Sequence, residues 1–159
     1  MRRARLVAET FAEKEFYLDE FHEKSLLVAL RAADWIAEPA RPAVVEVLTT
    51  LLRNDTRLVL LLETGPGAGE QRRITALANH LARGGHTPVA APVHLAREEG
   101  SVEQRCLQLW EVLRPSRLAV GLWPREAPLG LVCCAQQLAV GLRVYKLVYL
   151  DPCGGLARD

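Results

Sequence analysis

Hydrophobic residues in this chain fall into short unbroken runs, separated by longer stretches in which they recur every three or four positions. The runs Ser25–Leu30 (SLLVAL), Leu58–Leu62, Arg117–Leu122 (RLAVGL) and Tyr145–Leu150 have the length and continuity of strands covered on both faces of a parallel sheet. The intervening stretches have helical periodicity. Val44, Val45, Val47, Leu48, Leu51 and Leu52 mark a helix that starts after Pro39 and Pro42 and runs to about Asn54, where Asn-Asp favours a turn. Ile74, Leu77, Ala78 and Leu81 mark a second over Gln71 to Arg83, closed by Gly84-Gly85 as a left-handed cap. Ser101-Val-Glu-Gln104 has the form of a capping box and opens a third helix through Leu107, Leu109, Trp110 and Leu113 to Arg114. A fourth spans about Leu129 to Leu142 after a loop holding Trp123-Pro124 and Pro128. Thr87 to Val93, interrupted by Pro88 and Pro92, predicts a weak strand at a sheet edge, where proline is tolerated.

Strand and helix thus alternate five times with short connections, which specifies a three-layer α/β/α sandwich with a mostly parallel sheet and right-handed crossovers. Ahead of it, Leu6, Val7, Phe11, Phe16, Tyr17, Leu18 and Phe21 lie mostly at helical spacing among acidic and basic residues. Residues 1–24 therefore form an amphipathic helix, laid on the sheet or serving as an oligomerisation element through its aromatic residues. Residues 25–159 form a single α/β domain.

The strand Arg57 onward ends in the turn Thr64-Gly65-Pro66-Gly67-Ala68-Gly69-Glu70. Ligands of open α/β sheets sit beyond the carboxyl ends of the strands, so this turn is the first place to look for a function. Two sharp phosphate motifs are missed. Gly69 is followed by Glu70 and Gln71 rather than Lys-Ser/Thr, and the third glycine of a dinucleotide fingerprint is replaced by Glu70. Glu63 and Glu70 would repel a phosphate. The glycines either bind an anion through backbone amides or form a plain strand-to-helix turn. Arg31 and Arg125, at strand ends, have the chemistry to clamp a carboxylate.

Charge narrows the choice further. Lys and Arg total 20 against 19 Asp and Glu, so no net field draws the chain to nucleic acid or a membrane surface. Lysines are confined to Lys14, Lys24 and Lys146. At 159 residues one domain buries about 68% of the surface of its unfolded chain, enough for a real core. Cys106, Cys133, Cys134 and Cys153 have no metal or disulfide spacing, so reduced thiols in a cytoplasmic protein are expected, with Cys133 and Cys134 in the core. Cys153, in a glycine turn, is a weak candidate nucleophile without a nameable base. No two of His22, His80, His86 and His94 share a helix face at i, i+4, and no serine sits in a nucleophile elbow. No metal or cofactor is expected. No stretch has the length of a signal-peptide core or a membrane span.

Three stretches together resemble the amino acid kinase superfamily, within it the N-acetylglutamate kinase and N-acetylglutamate synthase branch. They are EFYLDEFHEKSLLVALRAAD from Glu15 to Asp34, Leu58 to Gly67, and AQQLAVGLRVYKLVYLDPCGGL from Ala135 to Leu156. They look like that branch's opening helix and first strand, its second strand with glycine turn, and its A-x-x-L-x-A-x-K-L-x-x-L-T-D-x-x-G segment. The resemblance implies an amino-terminal lobe of an amino acid kinase, but a catalytically degenerate one. Where the family's first strand ends K-h-G-G, this chain has Ala29, Leu30, Arg31 and Ala32, without the phosphoryl-handling lysine. Where the family carries a substrate-binding asparagine and aspartate, it has Pro128, Gly130 and Val132. The nucleotide-binding lobe that follows in the family is not encoded before Asp159.

Phosphoryl transfer depends on such positive charges, so an active kinase is not expected. In the synthase branch the kinase-like domain binds arginine as an effector and builds the oligomer. The resemblance accordingly implies a pseudoenzyme linked to arginine biosynthesis. Such a module binds a small amino-acid ligand, arginine or N-acetylglutamate, with contacts from Arg31, Gly65, Gly67 and Asp151. The resemblance further implies a homo-oligomer and an acetyltransferase partner. The alternatives are an acyl or phosphoryl transferase rebuilt at the strand ends around Glu63 or Cys153, and a structural assembly protein.

Overall fold

Five parallel strands lie in the order β3-β4-β2-β1-β5 in the computed structural model, which describes residues 15–33, 41–95 and 100–150. In chain order the elements are helical residues 15–21 (α1), β1 (Ser25–Arg31), α2 (Arg41–Arg53), β2 (Arg57–Thr64), α3 (Ala68–Gly84), β3 (Val93–His94), α4 (Val102–Leu113), β4 (Leu118–Pro124), α5 (Leu131–Gly141) and β5 (Lys146–Tyr149). The expected three-layer α/β sandwich is the observed one.

The unbroken apolar runs have their cause in the two-sided cover. Leu26, Val28 and Leu30 of β1 join Leu58, Leu60 and Leu62 of β2 and Leu118, Val120 and Leu122 of β4 under α2 and α3. The alternate residues Leu27, Ala29, Val59, Leu61, Ala119 and Trp123 face α4 and α5. A strand whose every side chain leaves water has no polar phase to its pattern. Leu60 and Leu61, neighbours on opposite faces, are 2% and 0% exposed. Burying one such leucine contributes about 2 kcal/mol.

Local signals set several boundaries as expected. The capping box forms: the Gln104 amide donates to Ser101 Oγ at 3.2 Å and the Ser101 amide to Gln104 Oε1 at 3.1 Å. Other boundaries differ, each for a physical reason. β4 continues through Trp123 and Pro124 instead of ending at Leu122, because both stay in register with β2, Trp123 beside Glu63 and Pro124 beside Thr64. The Trp123 indole is buried and donates to the Leu129 carbonyl at 2.8 Å. The edge strand β3 is reduced to Val93–His94, since Pro88 and Pro92 offer no amide to a ladder. At the end of α3 neither glycine supplies the left-handed residue: Gly85 has φ −84° and His86 takes φ 56°. Gly85 is needed for closeness instead, as a Cβ there would stand 2.6 Å from Leu52 Cβ. Cys134 is buried, but Cys133 is exposed, because adjacent helical residues point about 100° apart.

Helix α1 sits by the strand amino ends, with Leu18 and Phe21 packed against the core under α2 and α3. The His22 Nδ1–H donates to the Asn54 carbonyl at 2.9 Å, and the Thr56 hydroxyl donates to the Phe21 carbonyl at 2.9 Å. Tyr145 donates to Glu20, and Lys24 lies 3.9 Å from the Tyr145 ring centroid. The Tyr145 hydroxyl, with Lys24 beside it, holds the Glu20 carboxyl below the usual carboxylate range. Phe21 packs edge-on to Tyr145 at 6.1 Å and stacks on Tyr17 at 6.0 Å, while Phe16 and Tyr17 remain 62% and 45% exposed.

Candidate functional site

The strand order places the site. From β1 the chain moves through β2 to β3 at one edge of the sheet, then reverses through β4 to β5 at the other. Right-handed crossovers then put the helices of the outward path on one face and those of the return on the other, which is how α2 and α3 separate from α4 and α5. Neighbouring strands whose carboxyl ends lead to opposite faces leave a crevice between them, the usual ligand position in such sheets. Here those neighbours are β2, leading into α3, and β4, leading into α5.

The crevice is bordered by three strand ends in register. Arg31 of β1 stands beside Glu63 of β2, and Glu63 beside Trp123 of β4. Glu63 Oε1 lies 3.9 Å from Arg125 Nε, with the glutamate side chain 17% and the arginine side chain 57% exposed. The Arg125 backbone N–H donates to the Thr64 carbonyl at 2.9 Å, so this arginine closes the gap between the two strands by main chain as well as by charge. Above Trp123, the Arg105 guanidinium of α4 lies 4.9 Å from the ring centroid and its Nε–H donates to the Leu95 carbonyl at 3.2 Å.

The glycine turn is already occupied by its own helix. The Gly65 N–H donates to Glu70 Oε1 at 3.0 Å, and a Cβ on Gly65 would meet Glu70 Oε2 at 3.8 Å. The helix α3 begins at Ala68, with Gly67 as an N-cap that has no side chain to offer. Neither Gly67 nor Gly69 has a close neighbour at the Cβ position. These glycines are demanded neither by packing nor by backbone strain, and their bare main chain faces open space. An incoming anion would have to displace a carboxylate held at the positive end of α3.

Arg31, Gly65 and Gly67 of the sequence-derived set thus come together on adjacent strand ends. Asp151 and Cys153 lie outside the described residues, although the Leu150 N–H still bonds to the Ala29 carbonyl at 3.0 Å. Arg125, recognised in the sequence only as an arginine at a strand end, gains its importance from the pairing of β2 with β4. The lysines Lys24 and Lys146 are on the opposite edge, before β1 and at the start of β5, about 20 Å from the crevice at the usual strand rise. Among the described residues no group of three His, Cys, Asp or Glu side chains is arranged to hold a metal ion. Among them also, no helix is long and apolar enough to cross a membrane.

No protein family model and no curated protein matches this sequence. Among solved structures it is similar to the N-acetylglutamate synthase of Neisseria gonorrhoeae, determined with coenzyme A and L-arginine. The TM-score is 0.51 at 15% identity, over 93% of this chain and 48% of that one. The chain spans about half the length of that enzyme. At such low identity the likeness is one of fold alone.

Proposed function

We propose that this chain is a non-catalytic, amino-acid-kinase-like module that binds a small amino-acid ligand at the carboxyl ends of β1, β2 and β4. The observation that carries the reading is the convergence of Arg31, Glu63, the Gly65–Gly67 turn and Arg125 at the crevice where the chain leaves the sheet in opposite directions. The group has both signs of charge and bare main chain, which suits a zwitterion better than a polyphosphate. Arginine, which carries both signs of charge, is the first ligand to try, given that the fold neighbour was determined with L-arginine; N-acetylglutamate, a dianion, follows on the family resemblance alone. Arg31, Gly65, Gly67 and Asp151 are the proposed contacts. Lys24 and Lys146 lie at the other ends of the strands, and Ala29 stands where the resembled family carries its phosphoryl-handling lysine, which supports a role without phosphoryl transfer.

Calorimetry with arginine, N-acetylglutamate and ATP tests the proposal. Binding of one of the first two, weakened at least tenfold by Arg31→Ala, is the expected result, with no heat from ATP. Absence of heat from all three removes the binding role. Gly67→Ser sharpens the test: it fills the open space over the turn and adds a capping hydroxyl, so stability should rise by a few tenths of a kcal/mol while ligand affinity falls.

Assembly is the second part of the reading, favoured by the exposure of Phe16 and Tyr17 beside the half-buried Phe21. Exposed aromatic rings of this kind are enriched at subunit contacts. A Phe16→Ser, Tyr17→Ser double variant should elute later than the parent in size-exclusion chromatography at equal thermal stability. Unchanged elution of a parent that is itself oligomeric would move the interface elsewhere. A connection to arginine biosynthesis and an acetyltransferase partner belong to the same proposal.

A further inference from the structure

We draw no further inference here: the strongest candidate, the open apolar groove between α4 and α5 lined by Val102, Cys106, Leu107, Trp110, Gly141 and Leu142, carries none because nothing among the described residues shows what covers it.

Discussion

Removing the Glu70 carboxylate should loosen the turn that joins β2 to α3. The bond from the Gly65 N–H to Glu70 Oε1 is 3.0 Å long and partly buried, and the acceptor is the acidic residue of the first helical turn. A hydrogen bond to a charged group contributes about 1.5–3 kcal/mol when well shielded. Partial exposure lowers that figure, and the attraction of the carboxylate to the helix amino terminus adds about 0.3–1 kcal/mol. Glu70→Ala should therefore cost about 1–2 kcal/mol. For a domain of this size that is a fall in Tm of roughly 3–6 °C. Glu70→Gln retains an acceptor oxygen without the charge and should lose about half as much. Urea titration of the three proteins gives the energies, and amide exchange at Gly65 reports the bond itself, with faster exchange expected in the alanine variant. An alanine variant that melts within about 1 °C of the parent and leaves Gly65 exchange unchanged would refute the view that Glu70 closes this turn. Equal losses for alanine and glutamine would assign the effect to charge alone.

Gly85→Ala should destabilise by about 1–3 kcal/mol, because the new methyl meets Leu52 Cβ at 2.6 Å and the Leu81 carbonyl at 3.1 Å; a neutral result in thermal unfolding would mean that α3 is not pressed against α2 there. Burial pushes the Cys134 thiol up to about 11, and burial also raises Cys106. A thiol stays protonated in the fold after the unfolded chain has lost its proton, so stability holds below about pH 8.5 and falls as the pH climbs toward 11. The total from Cys134 is up to about 3 kcal/mol. Denaturation curves between pH 7 and 11 should show this slope in the parent and much less of it in Cys134→Ala; equal slopes would contradict it. In the native protein a thiol reagent should modify Cys133 quickly and Cys134 only on unfolding.

The sequence revealed whatever is decided within a few residues. The Leu58–Leu62 run announces a strand covered on both faces, and Ser101 with Gln104 announces a helix start, because one turn of chain contains both partners of each bond. Trp123 and Pro124 were less legible. Proline breaks the local pattern, yet the register with β2 holds both residues in the sheet. Cys133 and Cys134 share a sequence environment and differ only in the rotation of α5 against its core. Of the candidate site, the glycine turn and Arg31 were readable as strand ends. The crevice was not, since the pairing of Glu63 with Arg125 joins residues far apart in the chain and depends on the strand order. Nor did the pattern of the turn disclose that Glu70 would serve as its own anion.

The placement of β5 has a consequence for how the molecule opens. Its ladder joins Lys146–Tyr149 to Leu26–Ala29, partners separated by most of the chain, whereas β1, β2 and β4 pair along their whole lengths. Pairing over so long a sequence separation costs loop-closure entropy and slows folding in general. β5 is also the strand that α1 grips, through Tyr145 with Glu20 and Phe21 and through Lys146 over the Phe21 ring at 5.6 Å. The two ends of the described chain are therefore tied to each other as well as to β1. Displacing β5 would uncover one side of β1, and the strand that carries Arg31 would become an edge.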